Sequence, residues 1–271
     1  ENGSVSFDKS DVNTDKGFQI SEKGMYYRTI TKNKDGRQPE IGDILFLTVT
    51  CYSNNDSIND SPFFKKFENR EMTDMLSEPY YTNDLQTAYA MMREGEEMEF
   101  ALKADSFFLV GFGPQALPET VSQEDVLYVK LKLNRVATLD ELVIEETELI
   151  ENYVKDNGIE AEPTEDGLYI TEETAGEGKI VAVGDTILVN ITLKDLKTDT
   201  IINSSADMGA PLTFIFGEQP LLPALEKSIA TMKKGSKCRV ISPDKMAYQG
   251  KYPKPHCVYG RFKNGQPHYH R

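Results

Sequence analysis

The chain repeats itself once, over a distance the size of a domain. Residues 85–108 read LQTAYAMMREGEEMEFALKADSFF, and residues 225–248 read LEKSIATMKKGSKCRVISPDKMAY. Leu85, Met92, Gly95 and Phe100 align with Leu225, Met232, Gly235 and Val240 at a constant offset of 140 residues. Two more pairs keep nearly that spacing. Gly42-Asp43 and Gly184-Asp185 each precede an apolar run, while Gly24-Met25-Tyr26 and Gly167-Leu168-Tyr169 each open a unit. The period is too long for a solenoid repeat and is the size of a folded domain. Two diverged copies of one fold are therefore expected.

Length agrees, since 271 residues correspond to about two domains. Hydrophobic residues at 39% and charged residues at 27% are ordinary for a globular chain. No apolar run approaches the roughly 20 residues that a membrane-spanning helix needs. A formal charge of −14 argues against nucleic acid and anionic lipid surfaces as partners, because phosphate binding needs local positive charge. Lys233-Lys234 is short and reads as a solvated turn. Of the three cysteines, Cys51 and Cys238 lie in strand-like runs and read as small buried hydrophobes, and Cys257 lies in the tail. An odd count without framework spacing does not describe a disulfide scaffold. His256, His268 and His270 with Cys257 match no zinc spacing, so neither a metal nor a cofactor is implied. The first residue is Glu1 rather than Met; a cleaved export signal or a trimmed chain would each account for it.

Local patterns divide the chain into a polar, flexible leader (1–18), a first domain (19–137), a linking helix (138–158) and a second domain (159–271). In the first domain, residues 25–31, 44–52, 97–102 and 126–136 read as strands, from their β-branched and aromatic content and their alternation. Residues 53–61 read as a polar loop, and Leu85, Tyr89 and Met92 as a helix that stops at Gly95. Thr138 and Glu141 have capping-box spacing and predict a helix to about Asn157-Gly158. In the second domain, strands are expected at 168–171, 186–193, 212–216 and 237–242, a turn at 176–178, and a helix from Pro223 to about Lys233. Strands dominate, with one short helix in each domain. The fold class is α+β, an antiparallel sheet wrapped on a short helix, twice.

The second domain resembles the FKBP-type peptidyl-prolyl cis-trans isomerases. The resemblance rests on an ordered set of segments between Leu168 and Gly250. These are Gly176-Glu177-Gly178, Gly184-Asp185, Asn203-Ser204-Ser205, Pro211-Leu212-Thr213-Phe214, Leu225-Glu226, Met232-Lys233-Lys234-Gly235, and Ser242-Pro243-Asp244 leading to Ala247-Tyr248. The helix followed by Pro163 and Gly167-Leu168-Tyr169 is also similar to two-part FKBP-like proteins of Bacteroidetes envelopes. That likeness implies a periplasmic or cell-envelope location, with a lipoprotein anchor as one form of it. The first domain joins the resemblance only through the repeat.

The resemblance implies isomerisation of X-Pro bonds in folding chains. Rotation about the amide has a barrier of ~18–20 kcal/mol from its partial double-bond character. An apolar site favours the twisted, resonance-free amide over the hydrated planar one, and a hydroxyl holds its carbonyl. On this basis Tyr248 takes the catalytic position, and Ile191, Ile202, Asn203, Leu212, Phe214, Leu221, Leu222 and Leu225 take the substrate-binding positions. Several depart from the family pattern. Ile191 replaces a pocket Tyr, Ile202-Asn203 a Phe-Asp pair, and Leu225 the Trp of the pocket floor, while Gln249 displaces the glycine after Tyr248 to Gly250. In the first domain Val49 and Phe108 stand at the two tyrosine positions. Activity is accordingly expected to be weak and confined to the second domain. The alternative is a catalytically degenerate module that binds unfolded or proline-containing polypeptide. Each residue also has a plainer reading: the leucines and Phe214 as core of any small α+β domain, Asn203-Ser204-Ser205 as a turn, Tyr248 as a loop residue.

The tail carries Pro253, Pro255 and Pro267, which disfavour a central strand. A short pairing around Cys257-Val258-Tyr259 and Phe262 is expected, with Tyr259 or Phe262 covering part of the groove.

Overall fold

The computed structural model describes residues 12, 17–54, 56–80, 84–104, 107, 121–122 and 125–247, with the backbone alone of residue 57 and of Ala247, and the backbone of Val258–Asn264. The chain divides into two compact units, Glu1–Leu139 and Asp140–Arg271. The first contains β1 (Gln19–Ile20), β2 (Tyr26–Thr31), β3 (Ile44–Ser53), α1 (Asp56–Asn59), α2 (Pro62–Lys66), β4 (Arg70–Met75), α3 (Leu85–Met91), β5 (Glu97–Lys103) and β6 (Val126–Ala137). The second opens with α4 (Leu139–Asp156), then β7 (Tyr169–Thr174), β8 (Glu177–Ile180), β9 (Thr186–Asp195), β10 (Ile201–Ser204) and β11 (Leu212–Ile215). It continues through α5 (Pro223–Ile229), β12 (Lys233–Lys234), β13 (Lys237–Ser242), α6 (Asp244–Ala247) and β14 (Val258–Asn264).

Both main sheets are antiparallel. The first has the order β1-β2-β5-β6-β3-β4, and the second β7-β13-β14-β9, with β10 and β11 both pairing β9. Strand for strand, β2, β5, β6, β3 and β4 are answered by β7, β13, β14, β9 and β11. The strands themselves follow from composition. In β3 (ILFLTVTCYS) β-branched and aromatic residues fill the strand and alternate buried with half-buried along its length, the period of two that a half-covered sheet requires. Helix α3 lays Ala88 and Tyr89 against Leu45, Leu47, Phe100 and Leu131 of the first sheet, and Asp84 caps it by accepting the Thr87 N–H at 3.0 Å. Helix α5 has Pro223 at its first turn, where a missing N–H costs nothing, and buries Ala224, Leu225, Ser228 and Ile229. Leu225 and Ile229 meet Ile187, Val189 and Val240 of the second sheet.

The repeat extends to individual hydrogen bonds. Gly42 and Gly184 have φ of 95° and 90°, a region open to glycine at little cost. Each donates its N–H at 2.8 Å to the chain just after the neighbouring strand, Gly42 to the Leu76 carbonyl and Gly184 to the Phe216 carbonyl. Asp43 and Asp185 then close the same turn, each accepting through Oδ2 at 2.9 Å, from the N–H of Glu40 and of Ala182. At the start of each unit a hydroxyl bridges the turn, Ser21 Oγ accepting from Met25 N–H at 3.0 Å and Thr164 Oγ1 from Leu168 N–H at 3.1 Å. Met25 and Leu168 are both fully buried.

Several local expectations are corrected. Within the 53–61 loop lies α1, and Asn59 substitutes for a strand partner: its Oδ1 accepts the Ser53 N–H at 2.7 Å and its Nδ2 donates to the Ser53 carbonyl at 2.9 Å. Of the leader, Val12 and Phe18 are buried, and Phe18 packs on Tyr128 with ring centroids 5.5 Å apart. Its remaining residues up to 16 lie outside the described set. The turn at 176–178 runs into strand β8, which pairs β12. Lys233-Lys234 is therefore strand rather than the end of a helix, and α5 stops at Ile229. Gly176 is required there, because a Cβ would meet the Lys233 and Lys234 carbonyl oxygens at 2.8 and 2.7 Å. Finally, the pairing expected around 257–262 is present as β14, but in the central place that the tail prolines would disfavour. It lies between β9 and β13 and pairs with both. The three tail prolines fall outside it, so they remove no ladder donor.

A substitution at one repeated turn isolates its energetics. Nothing lies within 4 Å of a Cβ built on Gly184, so Gly184→Ala is expected to destabilise the second unit through backbone strain alone, by about 1–2 kcal/mol. Amide hydrogen exchange is the check: β9 exchanges faster while β3 of the first unit does not.

Candidate functional site

The second core is built from Leu168, Ile187, Val189, Phe214, Phe216, Leu225, Ile229, Met232, Cys238 and Val240, with a rim of partly exposed apolar residues packed on it. The rim includes Ile191, Leu212, Leu221, Leu222 and Met246. Each is positioned by a different element. Ile191 lies on β9 opposite Phe262 of β14; Leu212 pairs Val189 and Phe214 pairs Ile187 across β11 and β9. Leu221 precedes α5, and Leu222 is its N-cap residue, in extended conformation. Met246 comes from α6, where its N–H donates to the Pro243 carbonyl at 2.9 Å.

Six of the nine residues singled out from sequence are thus gathered on one core. Phe214 at 4% exposure and Leu225 at 8% are interior; Ile191, Leu212, Leu221 and Leu222 form its accessible margin. Ile202 and Asn203 are exposed on β10 and do not join them. Asn203 and Ser204 are strand residues rather than a turn, opposite Leu193 and Thr192 of β9. Ser205 ties that end of β10 to the site: its Oγ accepts the Ile191 N–H at 3.1 Å, and its own N–H donates to the Ile191 carbonyl at 3.0 Å. Tyr248 lies outside the described residues, as do Phe108, Cys257 and the three histidines, and the side chains of Tyr259 and Phe262 are likewise not described. Met246 escaped the sequence analysis because a lone methionine after a proline-containing turn has no periodic signal.

The buried titratable groups of this unit are inert or structural. Burial pushes the Cys238 thiol up to about 12, far from the thiolate that nucleophilic chemistry needs. Asp244 is different. Burial and then the neighbouring Glu146 carboxylate push it up to about 7, its Oδ1 is buried without a hydrogen-bond partner among the described residues, and its N–H donates to Glu146 Oε1 at 2.7 Å. Among the described residues, what the site offers is an apolar surface rather than an acid, base or ligand set: aliphatic side chains that would favour a desolvated amide over water.

Residues 178–260 match the family model of the FKBP-type peptidyl-prolyl cis-trans isomerases. The second unit is FKBP-like. The matched span runs from within β8 to within β14 and includes β9, β10, β11, α5, β13 and α6, so every described candidate residue falls inside it. No curated protein matches the chain. Among solved structures, FkpA from Escherichia coli is 20% identical with a TM-score of 0.40, over 47% of this chain and 61% of its own. The chain thus spans less than two thirds of FkpA. The three FKBP domains of wheat FKBP73 align over 91% of this chain and 95% of theirs, at 16% identity and a TM-score of 0.34. The N-terminal domain of FKBP42 from Arabidopsis thaliana aligns over 39% and 89%, at 17% identity and a TM-score of 0.35. At such scores these likenesses add no weight to the family match.

The first unit packs aromatic residues around its β3. Val49 is buried, and the α1–α2 segment brings Phe63, Phe64 and Phe67 over the same core. Phe67 is 5.0 Å from Phe63 and 6.3 Å from Phe107, centroid to centroid.

Two outcomes test this FKBP-like site. Phe214→Ala empties an interior position and is expected to cost about 3–5 kcal/mol. Ile202→Ala, on an exposed side chain, is expected to stay within about 0.5 kcal/mol, and denaturant unfolding separates the two. The raised Asp244 also sets a pH dependence. Between its ordinary carboxylate range near 4 and about 7, the folded state holds a proton that the unfolded state has lost. Stability of the second unit therefore falls as pH rises through that window. Thermal unfolding from pH 4 to 7 reads the slope, which is expected to flatten in Asp244→Asn.

Proposed function

We propose that the second unit is a weak peptidyl-prolyl cis-trans isomerase acting on X-Pro bonds of unfolded or folding polypeptides. The family match across residues 178–260 carries this reading. The apolar margin formed by Ile191, Leu212, Leu221, Leu222 and Met246 supports it, because amide rotation needs desolvation rather than proton transfer. Tyr248 is proposed as the hydroxyl that holds the substrate carbonyl, with Ile202 and Asn203 as outlying contacts and Phe214 and Leu225 as the floor. The aliphatic replacements at Ile191 and Leu225 weaken it. Each 1.36 kcal/mol of transition-state stabilisation lost is about tenfold in rate. The first unit, with Val49 and Phe108 at the two tyrosine positions, is proposed to be inactive, and the domain limits 19–137 and 159–271 to be the functional divisions. A cell-envelope location is proposed with it, testable by fractionation.

The exposure of Ile202 and Asn203 favours a second reading, a polypeptide-binding module of chaperone type without turnover. Proline isomerisation of an X-Pro peptide by the full chain decides between them. The isomerase reading expects catalysis above the uncatalysed rate that falls in Tyr248→Phe with the fold unchanged. Peptide binding with no acceleration leaves the binding module.

A further inference from the structure

Helix α4 is built into the second unit, on the sheet face opposite α5. Along β13, Cys238 and Val240 belong to the core under α5, whereas Ile241 packs with Ile150 and Leu196 and with Leu149, Tyr153, Val154 and Tyr169, as the two-residue strand period requires. The end of α4 is locked too: Gly158 N–H donates to Lys155 O, and Ile159 N–H to Val154 O at 3.0 Å, with Val154 and Ile159 in the same cluster. One turn before Ile150, on the same side of the helix, stands Glu146. It is only 8% exposed, although a carboxylate is costly to bury without hydrogen bonds. Its Oε1 accepts the Asp244 N–H, the first of α6, which has no acceptor within its own helix. Helix α6 in turn carries Met246 onto the core that Leu221, Leu222 and Ile191 share.

We propose that Glu146 is a positioning residue: by holding the first N–H of α6 it sets where Met246 lies on the apolar margin, and so makes peptide binding depend on the helix that joins the two units. This rests on the function proposed above, and Glu146 lies 32 residues before the matched span begins at residue 178. Among the described charged groups near the contact, Asp244 and Lys245 are on α6 and Glu146 on α4; the 164–168 turn beside Pro243 carries Asp166, which pairs with Lys227 of α5.

The test uses the full chain and a fluorescent, unstructured X-Pro peptide, read by anisotropy, alongside amide exchange of residues 244–247. Glu146→Leu removes the acceptor at similar volume; it is expected to speed exchange at Asp244 and weaken the peptide about tenfold. Glu146→Gln keeps an acceptor oxygen and is expected to rescue both. Where Glu146→Leu fails to fold, Glu146→Ala takes its place with the same expected losses. Faster exchange with an unchanged Kd overturns the proposal, and so does equal loss in the Gln variant, which would mean that burial of charge matters and not the bond. If the wild-type chain binds no peptide, the proposed function falls and takes this coupling with it. That outcome is distinct from a binding wild type whose Kd the Leu variant leaves unmoved.

Discussion

The second sheet is held together by backbone hydrogen bonds to a strand supplied last. β9 and β13 do not pair each other among the described residues; each pairs β14, β13 from Lys237↔Lys263 to Ser242↔Val258 and β9 from Val189↔Asn264 to Asp195↔Val258. Those two ladders join the half carrying Ile191, Leu212 and Phe214 to the half carrying Val240 and leading into Met246. The same constraint operates in the first unit, where β6 lies between β5 and β3. Inserting the last strand into the middle makes each sheet a high-contact-order structure, closed only when the end of the unit arrives.

Around this common frame the two units have diverged by filling one region differently. After β3 the first unit places α1 and α2, whose phenylalanines pack over Val49 and Cys51. After β9 the second places β10, an exposed edge with Ile201 and Ile202 at the surface. The result is one unit whose core gains the α2 phenylalanines and one whose core carries a margin of partly exposed aliphatic residues among the described residues. The first unit keeps a buried charge of its own: Glu99 accepts from Arg28 and from the Tyr52 hydroxyl on the sheet face that Phe18 and Tyr128 cover. Burial, first, and the Glu99 hydrogen bond, second, hold the Tyr52 phenol well above its ordinary range. It remains neutral and can donate at any ordinary pH.

The interplay of the two faces of the second sheet gives the family-like module a dependence that its own matched span does not contain. One face holds α5 and the apolar site, and the other holds α4. Glu146 crosses from the second to the loop that serves the first. A buried carboxylate beside Asp244 is destabilising by charge and tolerable through its hydrogen bond, an arrangement that favours one geometry over neighbouring ones.

The sequence by itself determined the repeat, the α+β class, most strands to within a few residues and the helix after Thr138. These are carried by local chemistry: glycines at positive φ, Asp after them to close the turn, β-branched alternation, and a glycine that stops α4. The resemblance of its second half to the FKBP-type isomerases also pointed to Leu212, Phe214, Leu221, Leu222, Leu225 and Ile191. Only the tertiary structure decided which of them are interior and which are accessible, since burial depends on what packs from other elements. It likewise decided that Ile202 stands apart, that Val12 and Phe18 of a polar leader dock on an aromatic face, that Val258–Asn264 lies mid-sheet between prolines, and that Glu146 meets Asp244. These last contacts join residues far apart in the chain, and no local pattern encodes a partner 98 positions away.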